Sequence, residues 1–277
     1  MSPPSRSSSR AAGIRTAASA AATAAALLMA LTACGGESDQ NAGAPGTASI
    51  SASTAPKGDL TVLAASSLTD VFKKAGAAYE RGHPGTRITF SFAGSQELVS
   101  QVQQGAPADV LVTADSKSMD KVRADTGTPA VIAKNRLVIA TAEGNPKGIG
   151  GLKDLADSNL KVVLAAPEVP AGKYSNQILD AQKITVKPVS LEPNVRAVLS
   201  KVELGEADAG LVYKSDTESA PDKVDAVAIP DAQNAIARYP AATLKESKHA
   251  EAAAAFVAWL STPEARKILQ DAGFQQP

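Results

Sequence analysis

Two serine residues in this sequence stand where a run typical of a β-strand meets the start of a helical repeat. Ser67 follows the apolar run 60–65, and Ser95 follows 86–92, in which apolar and polar residues alternate. The first N–H groups of a helix have no intrahelical acceptor, and the helix dipole places partial positive charge there. A hydroxyl at each of two such positions predicts a binding site for an anion.

Each serine also fits a purely structural role. Ser67 stands at an N-cap position, and Asp70 three residues later completes a pattern similar to a capping box, so the strand is predicted to pass directly into the helix. Ser95 stands at a helix start in the same way, and Gly94 before it allows close approach of the backbone to a ligand. These residues alone leave two interpretations open for each serine: it caps a helix, or it binds an anion.

The elements that must position these serines form an alternating series of strands and helices. Asn194 is predicted to cap one helix, Thr262 and Pro263 predict a sharp restart of another, and the prolines and glycine of 167–174 predict a tight loop before a helix that begins at Tyr174. The predicted strands are 60–65, one within 104–115, and 86–92, 137–141, 160–166, 209–213, 224–229 and 237–244. The predicted helices lie near 68–79, 98–102, 174–181, 195–202, 250–260 and 263–270.

The N-terminal segment predicts export and a lipid anchor. Three arginines precede an Ala/Leu-rich run that is too short for a spanning helix and ends at Cys34, the single cysteine of the chain. This pattern resembles the lipobox of bacterial lipoproteins, which predicts a signal peptide at 1–33 and lipidation of Cys34. Residues 34–58 are rich in Gly, Ser, Ala and Thr, which predicts a flexible tether. We therefore expect an extracytoplasmic protein held to the outer face of the cell membrane by its lipid alone.

Composition restricts the function classes that remain. The 277 residues suffice for two domains with their own cores, and 44% of them are hydrophobic. Loss of the predicted leader would leave 25 basic and 28 acidic residues. Because this balance is slightly acidic, binding of nucleic acid or of an anionic membrane by bulk electrostatics is not expected.

Six short motifs together resemble the molybdate-binding protein of bacterial molybdate ABC importers. In chain order they are Ala64-Ala-Ser-Ser-Leu-Thr-Asp, Phe92-Ala-Gly-Ser95, Gly105-Ala-Pro-Ala-Asp-Val, Val169-Pro-Ala-Gly, Pro193-Asn-Val-Arg and Gly210-Leu-Val-Tyr-Lys-Ser-Asp216. Each motif alone is weak, but their order and their places at element boundaries make the signal specific. The resemblance spans about residues 59–277.

The resemblance implies an α/β fold of the periplasmic-binding-protein type. This is the type II form, in which the chain crosses twice between two lobes and the ligand sits in the cleft between them. Lobe 1 would comprise 59–138 and the return segment 239–277, and lobe 2 would comprise 139–238. Such a protein is expected to act as a monomer, and its partner is the permease of an ABC importer.

Five ligand positions follow from the same resemblance. It implies that Ser67 and Ser95 contact the oxyanion from the first lobe, that Ala171 and Val195 offer backbone N–H groups from the second, and that Tyr213 offers its phenol hydroxyl. The implied ligand is molybdate or tungstate. No cofactor is expected, and no metal coordinated directly by side chains.

Hydrogen-bond chemistry agrees with this assignment. A tetrahedral oxyanion offers four acceptor oxygens, which several helix N-termini can solvate without a lysine or arginine. Lys173 and Arg196 stand beside proposed ligand positions, and we expect solvated surface charges that act at most from outside the contact shell. Sulfate has the same charge and hydrogen-bonding pattern as molybdate, so cavity size must discriminate. A protein of the same fold that binds sulfate or another oxyanion is the alternative.

Two other function classes are conceivable for this sequence. A serine-dependent hydrolase would need a base near Ser67, but the two histidines, His83 and His249, lie in a turn and at the start of a surface helix. An extracellular adhesion module would use the lipid anchor but has no need of hydroxyl-bearing helix starts around one cleft. Both are less consistent with the residues than an anion-binding protein, and an enzyme is not expected.

Overall fold

The computed structural model describes residues 58–277. The predicted signal peptide, the predicted lipidation site Cys34 and all of the predicted tether except Gly58 lie outside this range. Within residues 58–277, no helix has the length and apolar character needed to cross a membrane.

Strands and helices alternate along most of the described chain, as the sequence predicts. The strands are β1 Gly58–Ala65, β2 Thr86–Ala93, β3 Val110–Val112, β4 Ala130–Ala142, β5 Val162–Ala165, β6 Ser190–Glu192, β7 Ala209–Tyr213, β8 Val224–Ala228 and β9 Ile236–Thr243. The helices are α1 Thr69–Gly82, α2 Ser95–Gln103, α3 Ser116–Asp120, α4 Pro170–Ala181, α5 Val195–Glu203, α6 Lys214–Glu218, α7 Ala250–Trp259 and α8 Pro263–Asp271, with short 3-10 turns at Ser66–Leu68, Leu152–Ala156 and Asp231–Gln233.

Strand β4 joins two halves of the sheet. Its first part, up to Arg136, pairs with β9, and its second part, from Leu137 onward, pairs with β7 and β8. The order β2-β1-β3-β9 continues from one side of β4 and the order β7-β5-β6 from the other. The chain crosses between the halves within β4 and again between β8 and β9. We call the half with β1, β2, β3 and β9 the first lobe and the half with β5 to β8 the second lobe; this is the predicted two-lobed α/β fold with two crossovers.

Parallel pairing places three strand ends of each lobe at one edge. In the first lobe Ala65 of β1 is level with Ala93 of β2, and β3 runs parallel to β1. In the second lobe β5 runs parallel to both β6 and β7. Because a helix or a helical turn follows each of these strands, the two lobes present their helix N-termini at the carboxyl ends of their strands, where open α/β sheets bind ligands.

The C-terminal helices return to the first lobe and complete its core. Helix α7 packs on β9 and β1, and α8 packs on α1. Tyr79 of α1 meets Phe256 and Trp259 of α7 edge to face, with ring centroids 5.1 and 5.3 Å apart. Aromatic pairs of this kind add to the free energy gained by burial, so these helices hold the base of the first lobe rigid below the strand ends.

Several elements differ from the expected ones, among them the short helices α3 and α6, which the sequence does not predict. Strand β4 begins at Ala130 and is longer than the predicted 137–141, and the short strand β6 was not predicted. The predicted loop before Tyr174 is wrong, because helix α4 already begins at Pro170. A proline at the first helical position has a φ suited to the helix and lacks an N–H that would have no partner there, so Ala171 lies in the first helical turn.

Candidate functional site

All five residues predicted to contact an anion, Ser67, Ser95, Ala171, Val195 and Tyr213, line one small cavity between the two sets of strand ends. None of the residues that line this cavity carries a charge. The other lining residues are small or apolar, and they are Ala65, Ser66, Ala93, Gly94, Ala114, Val169 and Pro170.

Ser67 does not cap a helix, so that prediction is wrong. The chain leaves β1 through the 3-10 turn Ser66–Leu68, and neither this turn nor α1 has a side-chain cap. Ser67 is 2% exposed, and its Oγ lies 2.9 Å from Oη of Tyr239 on strand β9. Tyr239 carries no functional signal in the sequence, because a tyrosine in an alternating strand predicts only packing. The burial of Ser67 inside the turn therefore directs its hydroxyl to the cavity wall.

Ser95 is the first residue of α2, and its hydroxyl is also no cap. Gly94 is the N-cap residue, and Oγ of Ser95 accepts a hydrogen bond of 3.0 Å from the backbone N–H of Ala114. Since this bond uses an acceptor position of the hydroxyl, the O–H proton is free to be donated elsewhere. Ser95 is 1% exposed, so a donor directed into the cavity lies in a desolvated environment.

Ala171 and Val195 bring backbone N–H groups from the second lobe. They are the second residue of α4 and the first residue of α5, where the helix itself supplies no acceptor. The predicted cap of α5 is confirmed, because Oδ1 of Asn194 accepts a 3.0 Å bond from the N–H of Ala197. In α4, a Cβ on Gly172 would collide with the carbonyl oxygens of Ala165 and Ala166. Glycine thus lets α4 begin directly against the end of β5.

Tyr213 ends strand β7 with a buried hydroxyl. The residue is 1% exposed, and its Oη has no hydrogen-bond partner within the described part of the chain. Burial raises the pKa of Tyr213 well above its usual value, and the neighbouring phenol of Tyr239 adds to this shift. The hydroxyl therefore keeps its proton at neutral pH and is available as a donor to an acceptor inside the cavity.

The two lobes touch each other around the cavity. Nε2 of Gln96 in the first lobe donates a 2.8 Å bond to the carbonyl oxygen of Pro193 in the second. A Cβ on Gly94 would lie 2.6 Å from the same carbonyl oxygen, so glycine permits this close approach. Lys173 of α4 reaches across to Asp115 at 3.1 Å.

The expectation that Lys173 and Arg196 are solvated surface charges is wrong. Their side chains are only 28% and 22% exposed; Lys173 is held in one ion pair and Arg196 in two. Nη1 of Arg196 lies 2.8 Å from Asp70 in the first lobe, and its Nε lies 2.9 Å from the fully buried Asp216 in the second. Neither basic residue lines the cavity, so both positive charges act at a distance from it.

The buried carboxylate of Asp216 predicts a pH-dependent stability. Burial raises its pKa from 3.8 to about 6, although Arg196 and the N–H of Tyr213 oppose this shift. A raised folded-state pKa means that the stabilising contribution is complete below pH 3.8 and is lost as the pH rises through 6. At about 1.4 kcal/mol per pKa unit, the loss amounts to roughly 3 kcal/mol.

This expectation can be tested by denaturant unfolding of the anion-free protein between pH 4 and 7. We expect the unfolding free energy of the unsubstituted protein to fall relative to that of Asp216→Asn as the pH rises, because the asparagine does not titrate. Parallel curves for the two proteins over this interval would show that Asp216 has an ordinary pKa.

Comparisons with known proteins give this geometry a context. The family described as bacterial extracellular solute-binding protein matches residues 60–275. The Molybdate-binding protein ModA of Mycobacterium tuberculosis H37Rv is 40% identical over 254 residues, which are 91% of this chain and 95% of the relative. The protein of the same name from Escherichia coli K12 is 32% identical over 79% of this chain and 90% of its own. An aconitate isomerase from a Pseudomonas species is 25% identical over 79% and 88%.

Solved structures share the fold. A protein described as the substrate-binding domain of a molybdenum ABC transporter from Clostridium difficile superposes with a TM-score of 0.60 and 29% identity, over 79% of this chain and 99% of its own. The Azotobacter vinelandii periplasmic molybdate-binding protein gives a TM-score of 0.67 at 22% identity over 79% and 99%. The sulfate-binding protein SubI of Mycobacterium tuberculosis gives 0.70 at 21% over 79% and 86%. The chain therefore belongs to the bacterial extracellular solute-binding proteins, in the branch that contains the molybdate-binding proteins.

Proposed function

We propose that this protein captures molybdate in the cavity between its lobes and delivers it to an ABC importer. One observation carries the proposal: residues from both lobes, spread over nearly 150 positions from Ser67 to Tyr213, bring hydroxyl and helix N-terminal donors to one small cavity without a charged wall. The M. tuberculosis and E. coli relatives named for molybdate binding are 40% and 32% identical to this chain over most of its length.

The cavity suits a fully deprotonated oxyanion. The N–H groups at the starts of α4 and α5 can only donate, and the hydroxyl of Ser95 already accepts a bond from Ala114. Hydrogen bonds from such donors to an anion are about twice as strong as those between neutral groups. The N–H donors offer no acceptor to the O–H of a protonated anion, and only the hydroxyls could accept it, which favours molybdate over hydrogen phosphate.

Sulfate is the second candidate ligand, since the sulfate-binding protein SubI shares the fold. It matches molybdate in charge and shape and differs in size. The wall is made largely of backbone and of small side chains such as Ala65, Ala93 and Gly94, and α4 abuts the end of β5. Because such a wall has few side chains that can rearrange, we propose that cavity size discriminates between the anions. The relatives named for molybdate binding support molybdate rather than sulfate as the anion that fits.

Isothermal titration calorimetry tests the ligand directly. The protein would be residue 34 onward with Cys34→Ser, titrated with molybdate, tungstate, sulfate and phosphate. We expect one-to-one binding of the first two with a dissociation constant below about 1 μM, or roughly −8 kcal/mol. Ser67→Ala should weaken this binding about tenfold, the effect of one hydrogen bond to a charged group. Binding heat with sulfate or phosphate alone would mean that the fold assignment stands but that the ligand is not molybdate.

The residues that line the cavity support a catalytic role less than they support binding. Its wall holds no histidine, carboxylate, lysine or cysteine. The ring of His83 stacks on Tyr79, and His249 lies 3.3 Å from Asp109, both outside the wall. An isomerase acting on aconitate, a tricarboxylate, would need countercharges that a small uncharged cavity lacks. We propose binding without turnover, and conversion of aconitate by the purified protein would refute it.

We also propose the cellular arrangement that the sequence predicts. After removal of residues 1–33, a lipid on Cys34 would hold the protein at the outer face of the membrane, and residues 34–58 would let it reach the permease as a monomer. Mass spectrometry of the membrane-extracted protein should detect an acylated Cys34. Recovery of an unmodified cysteine would refute the anchor.

A further inference from the structure

Arg196 forms ion pairs with carboxylates of both lobes, and the proposed anion contacts do not account for them. The guanidinium joins Asp70 of the first lobe, at 2.8 Å, to Asp216 of the second lobe, at 2.9 Å. The carboxylate of Asp216 also accepts a 3.0 Å hydrogen bond from the backbone N–H of Tyr213. One arginine thus connects two helices of the second lobe, α5 and α6, with a helix of the first.

Each of the three charged residues stands next to a proposed anion contact. Arg196 directly follows Val195, and Asp216 lies three residues after Tyr213. On the other lobe, Asp70 lies three residues after Ser67. None of the three lines the cavity. Any effect of these residues on anion binding must therefore act through the positions of their neighbours and through the contact between the lobes.

The two ion pairs of Arg196 differ in burial and therefore in strength. The side chain of Asp216 is inaccessible to solvent, whereas that of Asp70 is 47% exposed. Separating the partners of a buried ion pair leaves an uncompensated charge, so the Arg196–Asp216 pair ties the start of α5 to the end of β7. The exposed Arg196–Asp70 pair is weaker, and it exists only while the lobes are in contact.

We propose that Arg196 is a positioning residue that couples contact between the lobes to the geometry of the second-lobe half of the anion site. Through Asp216 it keeps the N–H of Val195 and the hydroxyl of Tyr213 in a fixed position relative to each other. Through Asp70 it adds a contact that favours the state in which both lobes surround the anion. An anion that bridges the lobes and an ion pair that bridges them stabilise the same state, so each strengthens the other.

This inference rests on the proposed oxyanion binding and is tested with four proteins, each from residue 34 onward with Cys34→Ser. They are the unsubstituted chain, Asp70→Asn, Arg196→Lys and the double variant, titrated with molybdate and tungstate. Asp70→Asn changes an exposed residue, so the fold should persist. Lysine keeps a charge beside Asp216 but, as a compact point charge, loses the planar fork that spans two carboxylates.

We expect Asp70→Asn to weaken the binding of both anions by the same factor of about three, which is the effect of one exposed ion pair. Arg196→Lys should weaken them about tenfold, since it disturbs the buried pair as well. In the Arg196→Lys background, Asp70→Asn should have little further effect, because its partner is already lost. Thermal unfolding of each variant without anion checks that the fold is intact. As a matched control, Lys201→Gln removes an ion pair with Glu192 that lies within the second lobe and should leave affinity unchanged.

The outcomes separate this inference from the proposed function. If the unsubstituted protein binds neither anion, the proposed function fails before the variants are compared. If it binds and Asp70→Asn binds equally well, or if the effects of the two substitutions simply add, the positioning role of Arg196 is wrong while oxyanion binding stands.

Discussion

Replacing Val195 by proline should abolish most of the affinity for molybdate while leaving the fold intact. The proposed contact of Val195 is its backbone N–H, which proline lacks. Val195 is the first residue of α5, where proline is well tolerated, and Asn194 before it has the extended backbone, φ −159° and ψ 166°, that a following proline requires. Loss of one hydrogen bond to a charged group costs about 1.5–3 kcal/mol, and the ring would occupy the space of the donor, so we expect binding about 100-fold weaker.

Val195→Ala is the control for the side chain. Val195 is 3% exposed, so alanine should cost about 2 kcal/mol of stability through lost burial but keep the N–H. Calorimetry should therefore find near-normal affinity in Val195→Ala and a large loss in Val195→Pro, with similar melting temperatures. Equal affinities in the two variants would mean that the N–H of Val195 does not contact the anion.

The proposed contact at Val195 comes from the family resemblance of its motif, and local signals in the sequence support the elements that surround the cavity. Asn194 caps the helix that Val195 begins, Ser95 follows an alternating strand, and Tyr213 ends an apolar one. Each signal depends on a strand, a polar or small residue and a helical repeat within about a dozen positions. Parallel pairing then brings the strand ends together without any long-range information beyond the fold class.

Other parts of the site could not be predicted because they depend on distant partners. Ser67 has the sequence context of a cap, but a 3-10 turn and the hydroxyl of Tyr239, 172 positions away, give it another role. Arg196 has the context of a surface charge, but Asp70 and Asp216 enclose it from two lobes. The start of β4 was missed because its register is set by β9 rather than by its own alternation.

Tyr213→Phe should weaken molybdate binding and at the same time stabilise the anion-free protein. The hydroxyl is buried, and within residues 58–277 no group forms a hydrogen bond with it. Removing a buried hydroxyl without a partner relieves about 1 kcal/mol of desolvation cost, which corresponds to a rise of about 2–4 °C in melting temperature. The same hydroxyl, bonded to an anion in the complex, contributes about 1.5–3 kcal/mol there, so affinity should fall at least tenfold.

Tyr239→Phe provides the matched comparison, because the two rings pack edge to face with centroids 5.9 Å apart and both tyrosines are at most 1% exposed. The hydroxyl of Tyr239 is bonded to Ser67, so its removal should lower the melting temperature instead of raising it. The same chemical deletion in two neighbouring rings thus has opposite effects on stability if the hydroxyl of Tyr213 is reserved for the anion. A loss of stability in both variants would mean that this hydroxyl is already satisfied without anion, and the donor assigned to Tyr213 would then have to be withdrawn.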